Sequence, residues 1–92
     1  MLDVVQSSKF KKDYALLVKQ GKDMSLLEEV VELLSEEKEL PRKNKDHPLS
    51  GKWEGFRECH VQGDWILIYQ IKDNELTLTL SRSGSHSRIL RI

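Results

Sequence analysis

Residues 65–80 read Trp65-Ile66-Leu67-Ile68-Tyr69-Gln70-Ile71-Lys72-Asp73-Asn74-Glu75-Leu76-Thr77-Leu78-Thr79-Leu80, and their period decides the fold. Trp65 to Ile71 is the most apolar segment of the chain and reads as a central strand. Lys72 to Glu75 is a turn. Leu76 to Leu80 then alternates leucine with threonine at the two-residue period of a strand, so the three leucines are expected to face a core. Upstream, Trp53 to Val61 reads as another strand, joined to Trp65 by the tight turn Gln62-Gly63-Asp64. These segments predict a three-strand antiparallel meander.

Before residue 42 the period is helical. Phe10, Tyr14, Leu17 and Val18 stand at i, i+4, i+7 and i+8, while Asp13 and the lysines around it are assigned to the other side of the wheel. Ser7 or Ser8 offers an N-cap oxygen, and Gly21 suits the left-handed residue that closes a helix. A second helix is predicted from a capping box, Ser25 with Glu28, up to Leu40-Pro41. Its broad apolar stripe runs through Leu26, Leu27, Val30, Val31, Leu33 and Leu34. The short link predicts an antiparallel helical hairpin. Leu2, Val4 and Val5 are a short first strand that can add to the meander. The expected fold is α+β: an N-terminal strand and a helical hairpin packed on one face of a small antiparallel sheet. All 92 residues are expected to form one domain.

Composition narrows the function. Lys plus Arg and Asp plus Glu both number 15, so net charge is zero with neutral histidine, and that balance alone argues against nucleic acid. The charge is segregated, however. Residues 28–39 carry six glutamates against Lys38, whereas Arg42, Lys43, Lys45 and Lys52 cluster in the loop and Arg82, His86, Arg88 and Arg91 in the C-terminal run. No apolar run approaches the roughly 20 residues needed to span a bilayer. No signal peptide is visible, and the single Cys59 rules out an internal disulfide, so the cytoplasm is the expected compartment.

A sheet covered by helices on one side leaves the other free for chemistry. Cys59 and Val61 are assigned inward, which turns Glu58 and His60 to the open side. Strict alternation would send Arg82 inward with the leucines, and a bulge near Ser81 is the device that would turn it out. His86 follows a turn of small residues just beyond, and His47 lies in the loop. Histidine moves protons near neutral pH, and arginine grips phosphate bidentately. No metal site is expected, because the three histidines and Cys59 lack ligand spacing. A Cys59–His60 nucleophile pair is disfavoured because neighbours on a strand point apart. Phosphate-loop, dinucleotide and serine-hydrolase motifs are absent.

Four segments then resemble a known family: Lys45-Asp46-His47-Pro48-Leu49-Ser50-Gly51-Lys52-Trp53, Phe56-Arg57-Glu58-Cys59-His60-Val61, Asp64-Trp65-Ile66-Leu67-Ile68-Tyr69 and Arg82-Ser83-Gly84-Ser85-His86-Ser87. Together they are similar to the RelE/YafQ family of bacterial toxin ribonucleases, and most to its YafQ branch. The resemblance implies a type II toxin that enters the ribosomal A site and cuts mRNA by metal-free attack of the ribose 2′-OH, with no cofactor. It carries the catalytic positions onto His47, His60, Asp64, Arg82 and His86. His86 would be the general acid and Arg82 the phosphate clamp. His60, or Glu58 through a water, would be the base, with His47 positioning substrate or sharing the proton work and Asp64 orienting a histidine. Trp65 would stack on RNA or fill the core; Arg42, Lys43, Lys45, Lys52 and Arg88 would line the RNA surface. An antitoxin with an acidic segment is the implied partner. Two positions depart from the pattern: Glu58 stands for an aspartate, and Leu90 with Arg91-Ile92 stands where an aromatic is expected. The rival reading is a non-catalytic binding module of the same fold. Three histidines beside an arginine favour the enzyme, since docking needs no proton-transfer groups.

Overall fold

Ser7 separates the first two elements and serves both. In the computed structural model, which describes residues 1–90, β1 (Asp3–Gln6) ends at Ser7, which caps α1 (Ser8–Lys19) by accepting from the Phe10 amide at 3.0 Å. The same hydroxyl donates to the Ser81 carbonyl at 2.7 Å, tying the helix start to the last strand. Arg91 and Ile92 lie outside the described residues, and with them the end of the basic run and part of the aromatic departure. α1 closes at Gln20, with Gly21 left-handed (φ +74°) and the Lys22 amide donating to the Leu17 carbonyl, as the glycine signal predicts.

α2 (Met24–Ser35) differs from expectation at both ends. Its cap is Asp23, which accepts from the Ser25 amide, and not Ser25 with Glu28. It stops at Ser35, where Glu37 takes a left-handed conformation (φ +59°) and the Lys38 amide donates to the Leu33 carbonyl. A non-glycine residue does here what glycine usually does, so the stop is invisible to a glycine search. Of the six glutamates, Glu28, Glu29 and Glu32 are therefore within the helix, and Glu36 caps it.

The sheet has five strands in the order β1-β5-β4-β3-β2, with β2 at His47–Pro48, β3 at Arg57–Gln62, β4 at Trp65–Lys72 and β5 at Thr77–Ser85. β3, β4 and β5 are antiparallel neighbours, as the meander predicts, though β3 starts at Arg57 and not Trp53. β2 adds antiparallel from the segment expected as loop. β1 joins β5 in parallel, so the sheet is mixed rather than antiparallel. β4 is central and buried from Trp65 to Tyr69. Odd positions of β4 face the helices, where Trp65, Leu67 and Tyr69 pack with Phe10, Leu17, Leu27, Val30, Cys59, Leu78 and Leu80. Val18 and Leu76, assigned to that core from periodicity, are exposed, and Leu76 ends a 3-10 turn in the left-handed region (φ +52°).

The opposite face is not open. Ile66 and Ile68 are fully buried there under Leu49, Trp53, Phe56 and the short α3 (His86–Leu90), which contributes Ile89 and Leu90. This second small core covers part of the face and frames the rest.

Candidate active site

Cross-strand register places the functional residues in rows. His47 pairs with Glu58, Glu58 with Ile68, and Ile68 with Arg82, so one row crosses β2, β3, β4 and β5 on the face away from the α1–α2 hairpin. The next row holds His60, Ile66 and Gly84. Arg82 reaches this face through an irregularity: Tyr69 pairs with Leu80 and Ile68 with Arg82, so Ser81 is an extra residue that reverses the alternation. The bulge expected near Ser81 is present.

Glu58 is at the centre. It lies on the expected side but is buried (1 % exposed), not open, because three histidines and the second core enclose it. His60 Nε2 lies 3.4 Å and His47 Nε2 3.8 Å from Glu58 Oε1, and His86 Nε2 lies 3.7 Å from Oε2. The His60 and His86 rings are stacked at 6.4 Å between centroids. The Oε2 atom of Glu58 is buried with no hydrogen-bond partner.

Two of the three rings are held from behind. His47 Nδ1 lies 2.7 Å from the Lys45 carbonyl and His60 Nδ1 3.0 Å from the Gly63 carbonyl. A carbonyl only accepts, so both Nδ1 atoms carry hydrogen, and Nε2 is the ring nitrogen left free in each. Those are the nitrogens facing Glu58. An ionised Glu58 also only accepts, so a ring can donate to it only when doubly protonated.

The loop that carries His47 is latched. Tyr69 donates to Asp46 Oδ1 at 2.5 Å and Arg57 Nε donates to the same oxygen at 3.3 Å. Asn44 donates to the His60 carbonyl at 2.7 Å, which fixes the 3-10 turn Arg42–Asn44 against β3. Lys43 and Lys45 line a pocket with His60, Val61 and Gly63, whereas Arg42 and Lys52 are exposed on two short turns. Asn44 and Asp46 carried no sequence signal beyond their place in a polar loop.

Three assignments are corrected. It is the Asp64 backbone carbonyl that holds His86, accepting from its amide at 2.8 Å; the Asp64 side chain is exposed and makes no hydrogen bond to a histidine among the described residues. Trp65 is a core residue, 1 % exposed, with its indole donating to Ser83 Oγ at 3.0 Å, so it has no face free for a base. Glu58 is shut in by the imidazoles, so it is closed to substrate where an open position is expected. Cys59 points the other way, and burial pushes its thiol up to about 12, as an inert core residue requires.

Arg82 is engaged. Its Nε and one Nη donate to Asp13 at 2.8 and 3.1 Å, and Arg88 Nη1 donates to the same carboxylate at 3.3 Å. The Ser83 amide adds a fourth bond at 3.0 Å. Burial pushes the Asp13 carboxyl up, but the bonds from Arg82, Ser83 and Arg88 outweigh it and hold it below the usual range. Asp13 was assigned to the polar side of α1, yet Phe10, Asp13, Tyr14 and Leu17 stand at i, i+3, i+4 and i+7. An acid inside an apolar stripe was the signal that could have found it.

A partly shielded cluster of imidazoles on one carboxylate, with paired arginines at the far end of the same row, suits proton transfer beside a phosphate. Residues 2–91 match the family described as the bacterial toxin of type II toxin–antitoxin systems, YafQ. The chain belongs to the YafQ family. The mRNA interferase toxin YafQ of Escherichia coli strain K12 is 41% identical over 88 residues, covering 95% of this chain and 94% of its own. YafQ in the E. coli DinJ–YafQ toxin–antitoxin complex superposes with a TM-score of 0.86 at 40% identity, over 96% of each chain. A metal-bound toxin from Helicobacter pylori is nearer still in shape, with a TM-score of 0.92 at 52% identity, over 97% of this chain and 99% of that one. Among the described residues of the present YafQ-family chain, no group of three or more His, Cys, Asp or Glu is disposed to hold a metal ion. The histidine nitrogens converge on a carboxylate rather than on a vacant centre, so no step is assigned to a metal.

Proposed function

We propose that this YafQ-family toxin is an mRNA endoribonuclease of the ribosomal A site, and that the His47–His60–His86 cluster on Glu58 carries its chemistry. The observation that carries the reading is the convergence of three Nε2 atoms on one buried carboxylate in the row that ends at Arg82. In-line cleavage of RNA needs a base for the 2′-OH, an acid for the departing 5′-oxygen and positive charge on the phosphate between them. His60 takes the 2′-OH proton at Nε2, with its Nδ1–H on the Gly63 carbonyl fixing the ring. The 2′-oxygen bonds to phosphorus, the P–O5′ bond breaks, and His86 gives its proton to the leaving oxygen. The products are a 2′,3′-cyclic phosphate and a 5′-OH. Glu58 stores positive charge among the three rings, His47 completes that set, and Arg82 with Arg88 neutralises the phosphate. Lys43 and Lys45 line the approach to His60.

The toxin acts in the cytoplasm, held in check by an antitoxin whose acidic segment covers the basic site; among the described residues no helix is long and apolar enough to cross a membrane. The test is a translation reaction with purified protein and mRNA 5′-end mapping, with and without chelator. Cuts linked to codon position that survive the chelator are expected. No cuts would overturn the endoribonuclease reading, and cuts lost with a chelator selective for transition metals, which spares the Mg²⁺ of the ribosome, would overturn its metal-free form. His86→Ala is expected to lose at least about 10²-fold in rate. Near-wild-type cleavage would remove His86 from the role of acid.

A further inference from the structure

Asp13 stands outside the histidine cluster, on a helix that supplies nothing else to it, yet it is 1 % exposed and takes four hydrogen bonds. Three come from guanidinium groups and one from the backbone of β5. β1 pairs with β5 only as far as Leu80, so beyond the bulge the outer edge of β5 is free, and the Ser83 amide on that edge is the donor that docks Asp13. The carboxylate is thereby fixed to the strand that carries Arg82.

Arg82 uses its Nε and one Nη on Asp13, which is the side-on grip of a fork on a carboxylate. Its other edge keeps its donors for a second anion, and the side chain remains 21% exposed. Arg88 reaches Asp13 from α3 by lying across Gly84, where an added Cβ would stand 3.2 Å from Arg88 Nη1. One carboxylate thus collects two arginines from two elements and sets their free donors side by side. Left alone, two guanidinium groups repel each other, and each has several rotamers to choose from.

We propose that Asp13 is a positioning residue of the cleavage reaction, holding Arg82 and Arg88 as a preset pair for the scissile phosphate. The proposal rests on the endoribonuclease reading above. Its energetic content is preorganisation: the cost of ordering the two arginines is met on folding, so their charge is in place when it develops on the phosphate. Asp13 touches neither substrate nor reacting atoms.

The experiment uses the purified full chain on programmed ribosomes, with cleavage followed under single-turnover conditions. Asp13→Asn keeps the size of the side chain but has one acceptor oxygen where the carboxylate has two. The expected result is a fall of about 10- to 100-fold in the rate at saturating toxin, with little change in the half-saturating concentration. Arg82→Ala made on top of Asp13→Asn is expected to add little, because both changes break one unit. In the free protein, the slowly exchanging Arg82 Nε–H signal in a ¹⁵N-correlation spectrum is expected to be lost in Asp13→Asn and retained in Asp13→Glu. If Asp13→Asn does not fold, Asp13→Glu takes its place in the rate measurement, with an intermediate rate expected from a carboxylate displaced by one methylene. A folded Asp13→Asn with the wild-type rate would overturn the proposal, and so would a folded Asp13→Glu that has lost the Arg82 Nε–H signal yet cuts at the wild-type rate. So would effects of Asp13→Asn and Arg82→Ala that simply multiply, since that is how a remote structural residue behaves. A faster Asp13→Asn would also overturn it, showing that the carboxylate competes with phosphate. Failure of the wild-type chain to cut at all would instead sink the endoribonuclease reading.

Discussion

Two buried carboxylates divide the site between them, and they are treated differently by their surroundings. Asp13 has four donors; Glu58 has an oxygen with none and three imidazoles at 3.4–3.8 Å. The difference predicts where acid acts on stability. A carboxyl held below its ordinary value of 3.8 when folded contributes stability above that value, and the contribution is lost as pH falls through the folded value. Urea midpoints should therefore separate wild type from Asp13→Asn at neutral pH, and the gap should narrow below about pH 4. A gap that stays constant down to acid unfolding would show that Asp13 is not held as an anion. At this scale the sequence was half legible. His47, His60, Arg82 and His86 could be picked out because their chemistry is distinctive. Asp13 was missed because an acid is assigned to water by default, and its partners lie about 70 positions away along the chain. Trp65 was ambiguous because an aromatic on a strand reads alike as core or as stacking platform; its hydroxyl partner Ser83 decides for core.

Elements were more legible where a local interaction makes them. The Ser7 cap, the Gly21 stop and the β3–β4–β5 meander were all read from neighbours in sequence, and all stand. The end of α2 and the parallel pairing of β1 were not legible, since Glu37 gives no cue for a left-handed residue and strand pairing at a distance leaves no local mark. The bulge at Ser81 is the informative case: it was inferred only because burying Arg82 among leucines would be costly. Gly84 belongs with it. A side chain there meets Arg88 and Ile89 at 3.2–3.4 Å on a backbone with φ +157°. Gly84→Ala is expected to push α3 off β5, with a loss of about 1–3 kcal/mol in urea unfolding and a fall in cleavage. Unchanged stability would mean that α3 does not depend on that close approach.

The whole molecule explains the zero net charge. α2 with its glutamates packs on one face of the sheet, and the histidine row lies on the other, so the two signs are separated by the sheet's thickness. That arrangement was foreseen as a segregation of charge, but not the second core that roofs half of the site face. A small basic patch on a chain with no net positive charge should bind free RNA weakly and lose that binding as salt rises. Titration of a labelled single-stranded RNA at low and at physiological salt should show this. Tight, salt-insensitive binding would contradict the patch as described.

The contacts that close β1, α1 and β5 into one unit join residues separated by 69 to 75 positions. A growing chain supplies α1 with Asp13 well before it supplies Arg82, His86 and Arg88. Until Thr77 to Leu80 have been made, β1 has nothing to pair with, and until the segment after Leu80 follows, Asp13 has no cations and Glu58 lacks one of its three rings. On the proposed mechanism, a nascent chain that has not yet reached Arg82 has neither the phosphate grip nor the acid. On that mechanism the order of translation leaves such an unfinished chain without its chemistry.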